Sequence, residues 1–499
     1  MDMVGKTNEK KLLEADFGAS GGRVMAGLYD GNKIRLSQLH RFSNDPVFLG
    51  DTMHWDFLRL FHELKTGLKK AGLEGGADSI GVDTWGVDFG LIDAQGCLLE
   101  NPVHYRDART EGMLEEAFKC FPKDRFYELT GNQFMEINTA FQLLSLKKKR
   151  PALLERADKM LMMSDLFNYY LSGNACCEYT MASTTQLLNA EKKTWSKEVI
   201  DALGLPEKIF LPVTMPGTDL GLLQNSICRE LDLKPLHVMA VAGHDTGCAL
   251  AAVPTKQKDF IFVSCGTWSL FGTELDSPVI NEKSVYYNVA NEGGFAGKIS
   301  FLKNIIGLWL IQESKRQWTR EGKEFGFGEL DEMASGIEKN RSFVDPDDAV
   351  FVPAGDVPGR IREYCLNSGQ PVPETTAQIV RCIQESLALK YRVALEEIED
   401  CTGKNYEAIH IVGGGTQSRL LCQLVANACK RPVYAGPVEA TAYGNLAIQL
   451  SASGEISGLD EIRSLISASE DIMVYEPHNN DLWDEKYDVF CKIIAKGDR

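Results

Sequence analysis

The sequence has no long apolar run and no excess of positive charge. No apolar stretch approaches the ~18 residues that a membrane-spanning helix needs, and residues 1–10 are polar. The formal net charge is -17, whereas nucleic-acid phosphates are bound by clustered Lys and Arg. These absences predict a soluble, cytoplasmic protein with neither a membrane nor a nucleic-acid partner.

Paired cysteines and the common nucleotide-binding loops are absent as well. The thirteen cysteines include no CxxC pair and are odd in number, which indicates reduced thiols rather than a disulfide framework. No GxxxxGK[ST] occurs, and no GxGxxG opens a helix. A P-loop or a dinucleotide-binding fold is therefore not predicted, and any bound phosphate must be held by another arrangement.

The length indicates more than one domain. A chain of 499 residues is too long for one hydrophobic core, because domains usually contain ~100 to 200 residues. A polar, proline-bearing break follows Val253. We predict two domains, residues 1–253 and 254–499.

A hairpin with small residues at its turn begins each half. The first has strands at 11–16 and 24–29 around Phe17-Gly-Ala-Ser-Gly-Gly-Arg23, and the second has strands at 260–263 and 269–272 around Ser264-Cys-Gly-Thr-Trp268. The backbone N–H groups of such turns can point at an anion. A plain tight turn is the alternative, and the repeat itself suggests two related domains.

Two buried strands are predicted to end in carboxylates. Residues 79–82 lead into Asp83, and residues 238–242 lead into Gly243-His244-Asp245-Thr246. Open α/β sheets bind ligands beyond the carboxyl ends of their strands, so these side chains are expected to face a cleft. The alternative is that Asp245 caps a helix that begins near Gly247.

The second half contains a glycine-rich turn and several predicted helices. A strand at 408–412 runs into Gly413-Gly414-Gly415, and a helix follows from Leu420 to Cys429. Glycine allows a ligand to lie against the backbone, which favours a phosphate or nucleotide contact. A long helix is predicted over 376–402, and Leu302–Gln312 is interpreted as the opening of another.

These segments, in this order, resemble the FGGY carbohydrate kinases. The resemblance rests on DFGASGGR at 16–23, GVDTWGVD at 81–88, HDT at 244–246, SCGTW at 264–268 and GGG at 413–415. It implies an α/β protein with the two-domain, actin-like (ribonuclease H-like) ATPase fold and an interdomain catalytic cleft. The N-terminal domain would bind the sugar, and the C-terminal domain would bind the nucleotide.

The resemblance also implies roles for individual residues. Asp245 matches the catalytic base, which would accept a proton as ATP phosphorylates O1 of a deoxyketose. The expected ligands are ATP, a small-molecule sugar and Mg²⁺. The sugar would be bound by Gly86, His244, Asp245, Thr246 and Asn304; ATP by Ala19, Ser20, Gly21, Gly22, Arg23, Thr267, Gln312 and Gly414; and Mg²⁺ by Asp16 and Asp83.

Two alternatives remain open at this point. The sugar is expected to be L-rhamnulose, but another deoxyketose such as L-fuculose would need the same machinery and a different pocket. A non-catalytic sugar- or nucleotide-binding regulator could also use this scaffold, although the presence of Asp245 favours an enzyme.

Overall fold

The computed structural model describes residues 9–337, 342–478 and 480–497. The chain forms two compact units that each draw on separate stretches of sequence. Unit 1 contains the chain up to Lys256, Leu275–Phe301 and Ala440–Ser469; unit 2 contains Gln257–Glu274, Leu302–Glu439 and the chain from Glu470 onward. The expected domain boundary at residues 253 and 254 stays a prediction.

Unit 1 contains a six-stranded sheet with three parallel strands at its centre. Across the sheet the strands are Thr218–Leu222, His237–Ala240, Ser79–Thr84, Lys10–Phe17, Gly21–Tyr29 and Ile34–Ser43. Ser79–Thr84 pairs in parallel with both of its neighbours, and the outer pairs are antiparallel. Every residue of Ser79–Thr84 is buried, as expected of a strand covered on both faces. The carboxyl ends of the three central strands therefore meet at one edge.

The first hairpin has a shorter turn than the sequence predicts. Its strands are Lys10–Phe17 and Gly21–Tyr29, so only residues 18–20 form the turn. Gly22 lies within the second strand, where an added Cβ would be 2.3 Å from the ring of Phe42. Close packing of the strand against this ring, rather than turn geometry, requires glycine there.

Helices and short strands complete unit 1. Helix Phe57–Leu73 buries Leu60, Leu64 and Leu68, which repeat at helical spacing. The other helices are Met113–Cys120, Lys123–Thr130, Thr139–Lys149, Pro151–Arg156, Met163–Ser172, Tyr179–Ser183, Lys197–Leu203, Asn225–Leu231, Asp245–Ala251, Glu282–Tyr286, Ala440–Ala452 and Gly458–Ser469. The short strands are Val47–Leu49, Thr52–His54, Phe89–Ile92, Lys159–Met162, Cys177–Glu178, Leu188–Asn189, Thr194–Trp195, Val213–Thr214 and Ala290–Gly293.

Helix Ala440–Ala452 packs closely within unit 1. At Gly444 an added Cβ would lie 1.9 Å from the carbonyl oxygen of Cys248, so helix Asp245–Ala251 can approach only a residue without a side chain. Asn445 Nδ2 donates to Asp83 Oδ2 at 2.6 Å, and Gln449 Nε2 donates to the Leu13 carbonyl at 2.8 Å. This helix therefore braces both the central strands and the helix that begins at Asp245.

Unit 2 is built on a second mixed sheet. The strands that lie wholly or partly in this unit follow the order Ile299–Ile306, Trp268–Leu275, Ile261–Cys265, Ile409–Val412, Val433–Ala435 and Met473–Tyr475. Ile409–Val412 pairs in parallel with the strands on both sides of it. The helices are Trp309–Arg320, Phe327–Ser335, Val357–Asn367, Thr376–Thr402, Arg419–Cys429 and Asn480–Gly497.

Two sequence predictions for unit 2 had different outcomes. The helix predicted over 376–402 is confirmed as Thr376–Thr402, and its Thr375 cap forms a capping box with Gln378. The interpretation of Leu302–Gln312 as a helix opening is wrong for its first half, because strand Ile299–Ile306 continues through it and the helix begins at Trp309.

In the described part of the chain, no helix combines the length and the apolar character needed to cross a membrane.

Candidate active site

The segment Gly243–Thr246 connects a buried strand to a short helix. The strand is His237–Ala240, and the helix is Asp245–Ala251 with His244 at its N-cap position. The Thr84 N–H donates to the Gly243 carbonyl at 2.8 Å, so this turn lies beside the carboxyl end of Ser79–Thr84. Polar side chains at this edge of a sheet are placed to meet a ligand.

Asp245 is the first residue of the helix and not its cap, so the capping alternative is wrong. Its Oδ1 accepts the Thr246 N–H at 2.6 Å and the Thr246 hydroxyl at 3.2 Å. The side chain is 34% exposed. Burial raises the pKa of Asp245 above its ordinary value, although His244 and the hydrogen bonds from Thr246 act in the opposite direction. A partly accessible carboxylate of raised basicity is a suitable proton acceptor.

A glutamate that the sequence analysis did not assign lies beside His244. Glu292 Oε2 is 3.2 Å from His244 Nδ1, and Asp245 Oδ1 is 3.5 Å from His244 Nε2. Burial lowers the pKa of His244, but the two carboxylates outweigh burial and raise the pKa to about 8. His244 is therefore mainly an imidazolium at neutral pH, with an acidic side chain at each ring nitrogen.

Three carboxylates cluster on two neighbouring strands of unit 1. Glu14, Asp16 and Asp83 each offer an oxygen within 4.8 Å of the others, and Asp16 pairs with Asp83 in the strand register. Burial and the two other carboxylates raise the pKa of Asp83 well above its ordinary value. Asp83 Oδ1 is buried and accepts no hydrogen bond from the described residues. A divalent cation or its water would satisfy this oxygen, so the cluster fits Mg²⁺.

Arg23 lies next to this cluster. Its Nε donates to Asp16 Oδ2 at 3.1 Å, and its guanidinium forms an ion pair with the same oxygen. Within the preceding turn, the Gly18 N–H donates to the Gly21 carbonyl at 2.9 Å. The predicted phosphate-binding residues at 19–23 are therefore divided between a three-residue turn and the start of a strand.

The loop at Gly86 is held in place by a buried carboxylate and a threonine. Asp88 accepts hydrogen bonds from the indole N–H groups of Trp55 at 2.6 Å and Trp85 at 2.9 Å. The Val87 N–H donates to Thr184 Oγ1 at 3.0 Å, and an added Cβ at Gly86 would lie 3.0 Å from the Thr184 methyl carbon. Gly86 is thus a close-packed position, which explains the glycine independently of any sugar contact.

The remaining predicted residues lie in unit 2. Thr267 Oγ1 donates to Gln312 Oε1 at 3.1 Å, so the hairpin turn and the helix Trp309–Arg320 are joined at these two residues. An added Cβ at Gly414 would meet no atom within 4 Å, which leaves its backbone open to a ligand. Asn304 is half-buried on the strand Ile299–Ile306.

Asp331 is a residue of unit 2 that the sequence analysis missed. Its carboxylate accepts the Ser418 hydroxyl and, at 3.3 Å, the Leu420 N–H. It therefore fixes the start of helix Arg419–Cys429, directly after the glycine-rich turn.

The structure brings several of the predicted residues together within each unit. In unit 1, Asp16 contacts Arg23, and Asp83 is joined to the turn before Asp245 by its neighbour Thr84. In unit 2, Thr267 contacts Gln312. The roles predicted for all of these residues stay predictions.

The sequence matches a known family along most of its length. Residues 13–252 match the N-terminal domain, and residues 261–453 the C-terminal domain, of the FGGY family of carbohydrate kinases. The rhamnulokinase of Bacteroides thetaiotaomicron is 41% identical over 97% of this chain and 100% of its own length. The rhamnulokinase of Halalkalibacterium halodurans is 42% identical over 93% of this chain and 98% of its own.

The fold is shared with solved sugar kinases of low identity. The ligand-bound xylulose kinase of Lactobacillus acidophilus superimposes with a TM-score of 0.81 at 16% identity, over 97% of both chains. The predicted family and the predicted two-domain α/β fold class are therefore confirmed. The chain belongs to the FGGY family of carbohydrate kinases and is a sugar kinase.

Proposed function

We propose that this sugar kinase phosphorylates O1 of L-rhamnulose with ATP and that Asp245 is its general base. The proposal is carried by one observation: two rhamnulokinases are 41% and 42% identical to the chain over nearly its whole length. The position of Asp245 at the start of the helix that follows a buried strand, with a partly exposed carboxylate, supports the proposed role.

The proposed reaction is a direct, in-line transfer. A lone pair of the sugar O1 attacks the γ-phosphorus, and the bond from that phosphorus to the β,γ-bridging oxygen breaks, so ADP leaves with the electron pair. The O1 proton passes to Asp245. Positioning and electrostatic stabilisation supply most of the rate in such transfers, and a positioned base contributes roughly 10²- to 10⁴-fold.

The residues beside Asp245 would orient the sugar. His244 Nε2 carries a proton at neutral pH because the pKa of His244 is raised to about 8, so it can donate to a sugar hydroxyl. Thr246 and the backbone at Gly86 would supply further polar contacts, and Asn304 is assigned to the sugar by the family resemblance alone. Hydroxyl-rich ligands are recognised by such directional donors and acceptors.

ATP would be held by the residues that the family resemblance assigns to it. Thr267, Gln312 and Gly414 offer a hydroxyl, an amide and an open backbone, and residues 19–23 offer backbone N–H groups and Arg23. Mg²⁺ would neutralise charge on the ATP phosphates. Glu14, Asp16 and Asp83 would hold it, in part through water, because magnesium retains several of its waters.

The test measures ADP release by purified protein supplied with ATP, Mg²⁺ and a panel of ketoses that includes L-rhamnulose and L-fuculose. We expect the highest kcat/KM with L-rhamnulose. Asp245→Asn should lower kcat by roughly 10²- to 10⁴-fold, because an amide cannot accept the proton. The exposed Asp201 provides a matched control, and Asp201→Asn should leave kcat unchanged.

Either of two results would contradict the proposal. A higher kcat/KM for another ketose would reassign the substrate, and full activity of Asp245→Asn would remove the general base from its role.

A further inference from the structure

A buried glutamate from a distant segment contacts the backbone of the turn that carries Asp245. Glu178 is 1% exposed, and it ends the short strand Cys177–Glu178. Its Oε2 accepts the Gly243 N–H at 3.0 Å. An added Cβ at Gly243 would lie 3.1 Å from this same oxygen and 2.3 Å from Ser164 Oγ. The turn approaches the carboxylate this closely because residue 243 has no side chain.

A second hydrogen bond from the same segment holds the next residue of the turn. Thr180 Oγ1 donates to Glu178 Oε2 at 2.5 Å and accepts the His244 N–H at 3.0 Å. Glu178 thus binds the Gly243 N–H directly and the His244 N–H through the Thr180 hydroxyl. These are successive backbone N–H groups of the turn. Asp245 follows immediately in the chain.

Helix capping accounts for only part of this arrangement. Glu178 is the N-cap of helix Tyr179–Ser183, and it accepts the N–H groups of Thr180 and Met181 at 2.9 and 3.1 Å. An Asp, Asn, Ser or Thr cap would satisfy that local need. The bonds to Gly243 and His244 cross between segments that are far apart in the sequence, and they require a side chain of this length together with the Thr180 hydroxyl.

We propose that Glu178 is a positioning residue for the sugar-kinase reaction, and that its carboxylate and the Thr180 hydroxyl hold the Gly243–His244 backbone so that His244 and Asp245 meet the sugar correctly. This inference rests on the proposed role of Asp245. Glu178 itself touches no reacting atom. Its Oε2 accepts from the Thr180 hydroxyl and from the Met181 and Gly243 N–H groups, and its Oε1 accepts from the Thr180 N–H. A carboxylate satisfies both sets of donors, whereas a carboxamide presents an oxygen to only one of them.

The test compares Glu178→Gln with the wild type in the ADP-release assay, using the ketose for which the wild type is most active. The amide of Gln has an oxygen for only one of the two sets of donors and points its NH2 group at the other, so either the Gly243 contact or the Thr180 N–H contact that supports it is lost. A displacement of about 1 Å at a reacting group can cost about 100-fold in rate. We expect kcat/KM for the sugar to fall by roughly 10- to 100-fold, through a lower kcat and a higher KM for the sugar. KM for ATP should change less than about twofold.

A merely structural role predicts a different pattern. Loss of folded protein lowers apparent kcat and leaves both KM values unchanged. Glu385 is a matched control, because it is also fully buried and its carboxylate pairs with Arg381 and Lys486 in unit 2. Glu385→Gln should change the melting temperature without raising KM for the sugar.

Thr180 provides a second pair of variants if Glu178→Gln does not fold. Thr180→Val removes the hydroxyl at nearly constant volume and should raise KM for the sugar, whereas Thr180→Ser retains the hydroxyl and should behave as the wild type. An unchanged KM for the sugar in both Glu178→Gln and Thr180→Val would overturn the inference. An inactive wild type would instead overturn the proposed function, so the two failures are distinguishable.

Discussion

At the level of single residues, His244 links the charge of the site to pH. Its ring nitrogens face Glu292 and Asp245, and Glu178 adds further negative charge nearby. Together these groups raise the pKa of His244 to about 8. The imidazolium therefore persists through neutral pH and loses its proton only in mildly alkaline solution.

This gives a prediction for sugar binding. If the Nε2 proton of His244 is donated to the sugar, KM for the sugar should rise about tenfold between pH 7 and pH 9, since the donor is lost as pH passes the raised pKa. Glu292→Gln removes one of the charges that raise this pKa, so the rise should begin at lower pH. The measurement is KM for the sugar across this range at saturating ATP.

Glu282 supplies the control for that series, because it lies exposed on helix Glu282–Tyr286. Glu282→Gln should show the same dependence of KM on pH as the wild type. A Glu292→Gln profile that coincides with the wild type would show that Glu292 does not govern the protonation of His244.

The sequence alone was sufficient to single out some of these candidate site residues and insufficient to find others. Asp83 and Asp245 could be singled out because each follows an apolar strand. Glu14 could have been predicted, since it lies two residues before Asp16 in one strand and alternate residues share a face. Glu178 and Glu292 could not have been predicted, because only the folded chain brings their segments to His244.

At the level of elements, the contact between helices Asp245–Ala251 and Ala440–Ala452 depends on one glycine. Gly444→Ala would place a Cβ 1.9 Å from the Cys248 carbonyl oxygen, which forces the helices apart. We expect a loss of about 1–3 kcal/mol in the free energy of unfolding, together with lower kcat because the displaced helix begins at Asp245. Thermal melts and the ADP-release assay measure both effects.

Gly328 is the matched control for this substitution. It also lies in a helix, Phe327–Ser335, but an added Cβ there would meet no atom within 4 Å. Gly328→Ala should be neutral or stabilise the protein by up to ~1 kcal/mol, because alanine favours the helix. Equal melting temperatures for the two variants would argue against the helix contact as the cause.

Element predictions succeeded where local signals agreed. Thr376–Thr402 combines a capping box at Thr375 with a left-handed Gly403 after its last residue, so both ends are marked in the sequence. Leu302–Ile306 carries apolar residues that suit either a helix or a strand. Its pairing within the sheet decided the outcome, and no short-range pattern records that pairing.

At the level of the whole molecule, buried acids should make stability depend on pH. Burial raises the pKa of Asp88 to about 6, of Glu178 to about 7 and of Asp165 to about 8. The folded chain thus retains protons that the unfolded chain releases, since the ordinary values are 3.8, 4.5 and 3.8. Unfolding free energy should therefore rise as pH falls from about 9 towards 5.

Asp165→Asn tests the largest of these contributions. Asn cannot titrate, so the loss of stability between pH 7 and 9 should become shallower, by at most about 1.4 kcal/mol per pH unit. Melting temperatures across this range provide the measurement, and Asp201→Asn should retain the slope of the wild type. A slope that is the same in Asp165→Asn and in the wild type would remove Asp165 as a source of the effect.

The larger organisation was partly visible in the sequence. The motifs were sufficient to identify the family and the fold class, because their order along the chain is distinctive. The return of residues 440–469 to unit 1 depends on the buried amides of Asn445 and Gln449 reaching Asp83 and Leu13. No helix was predicted for this segment, and local patterns do not show which sheet it joins.

The return of residues 440–469 to unit 1 delays part of the folding of unit 1 until late in synthesis. Asp83, which the ribosome synthesises early, receives its hydrogen bond from Asn445, which emerges only after most of the chain has been translated. A nascent chain halted before residue 440 would lack this brace. The candidate site at Asp83 can therefore be completed only late in translation, and the growing polypeptide must remain free of aggregation until then.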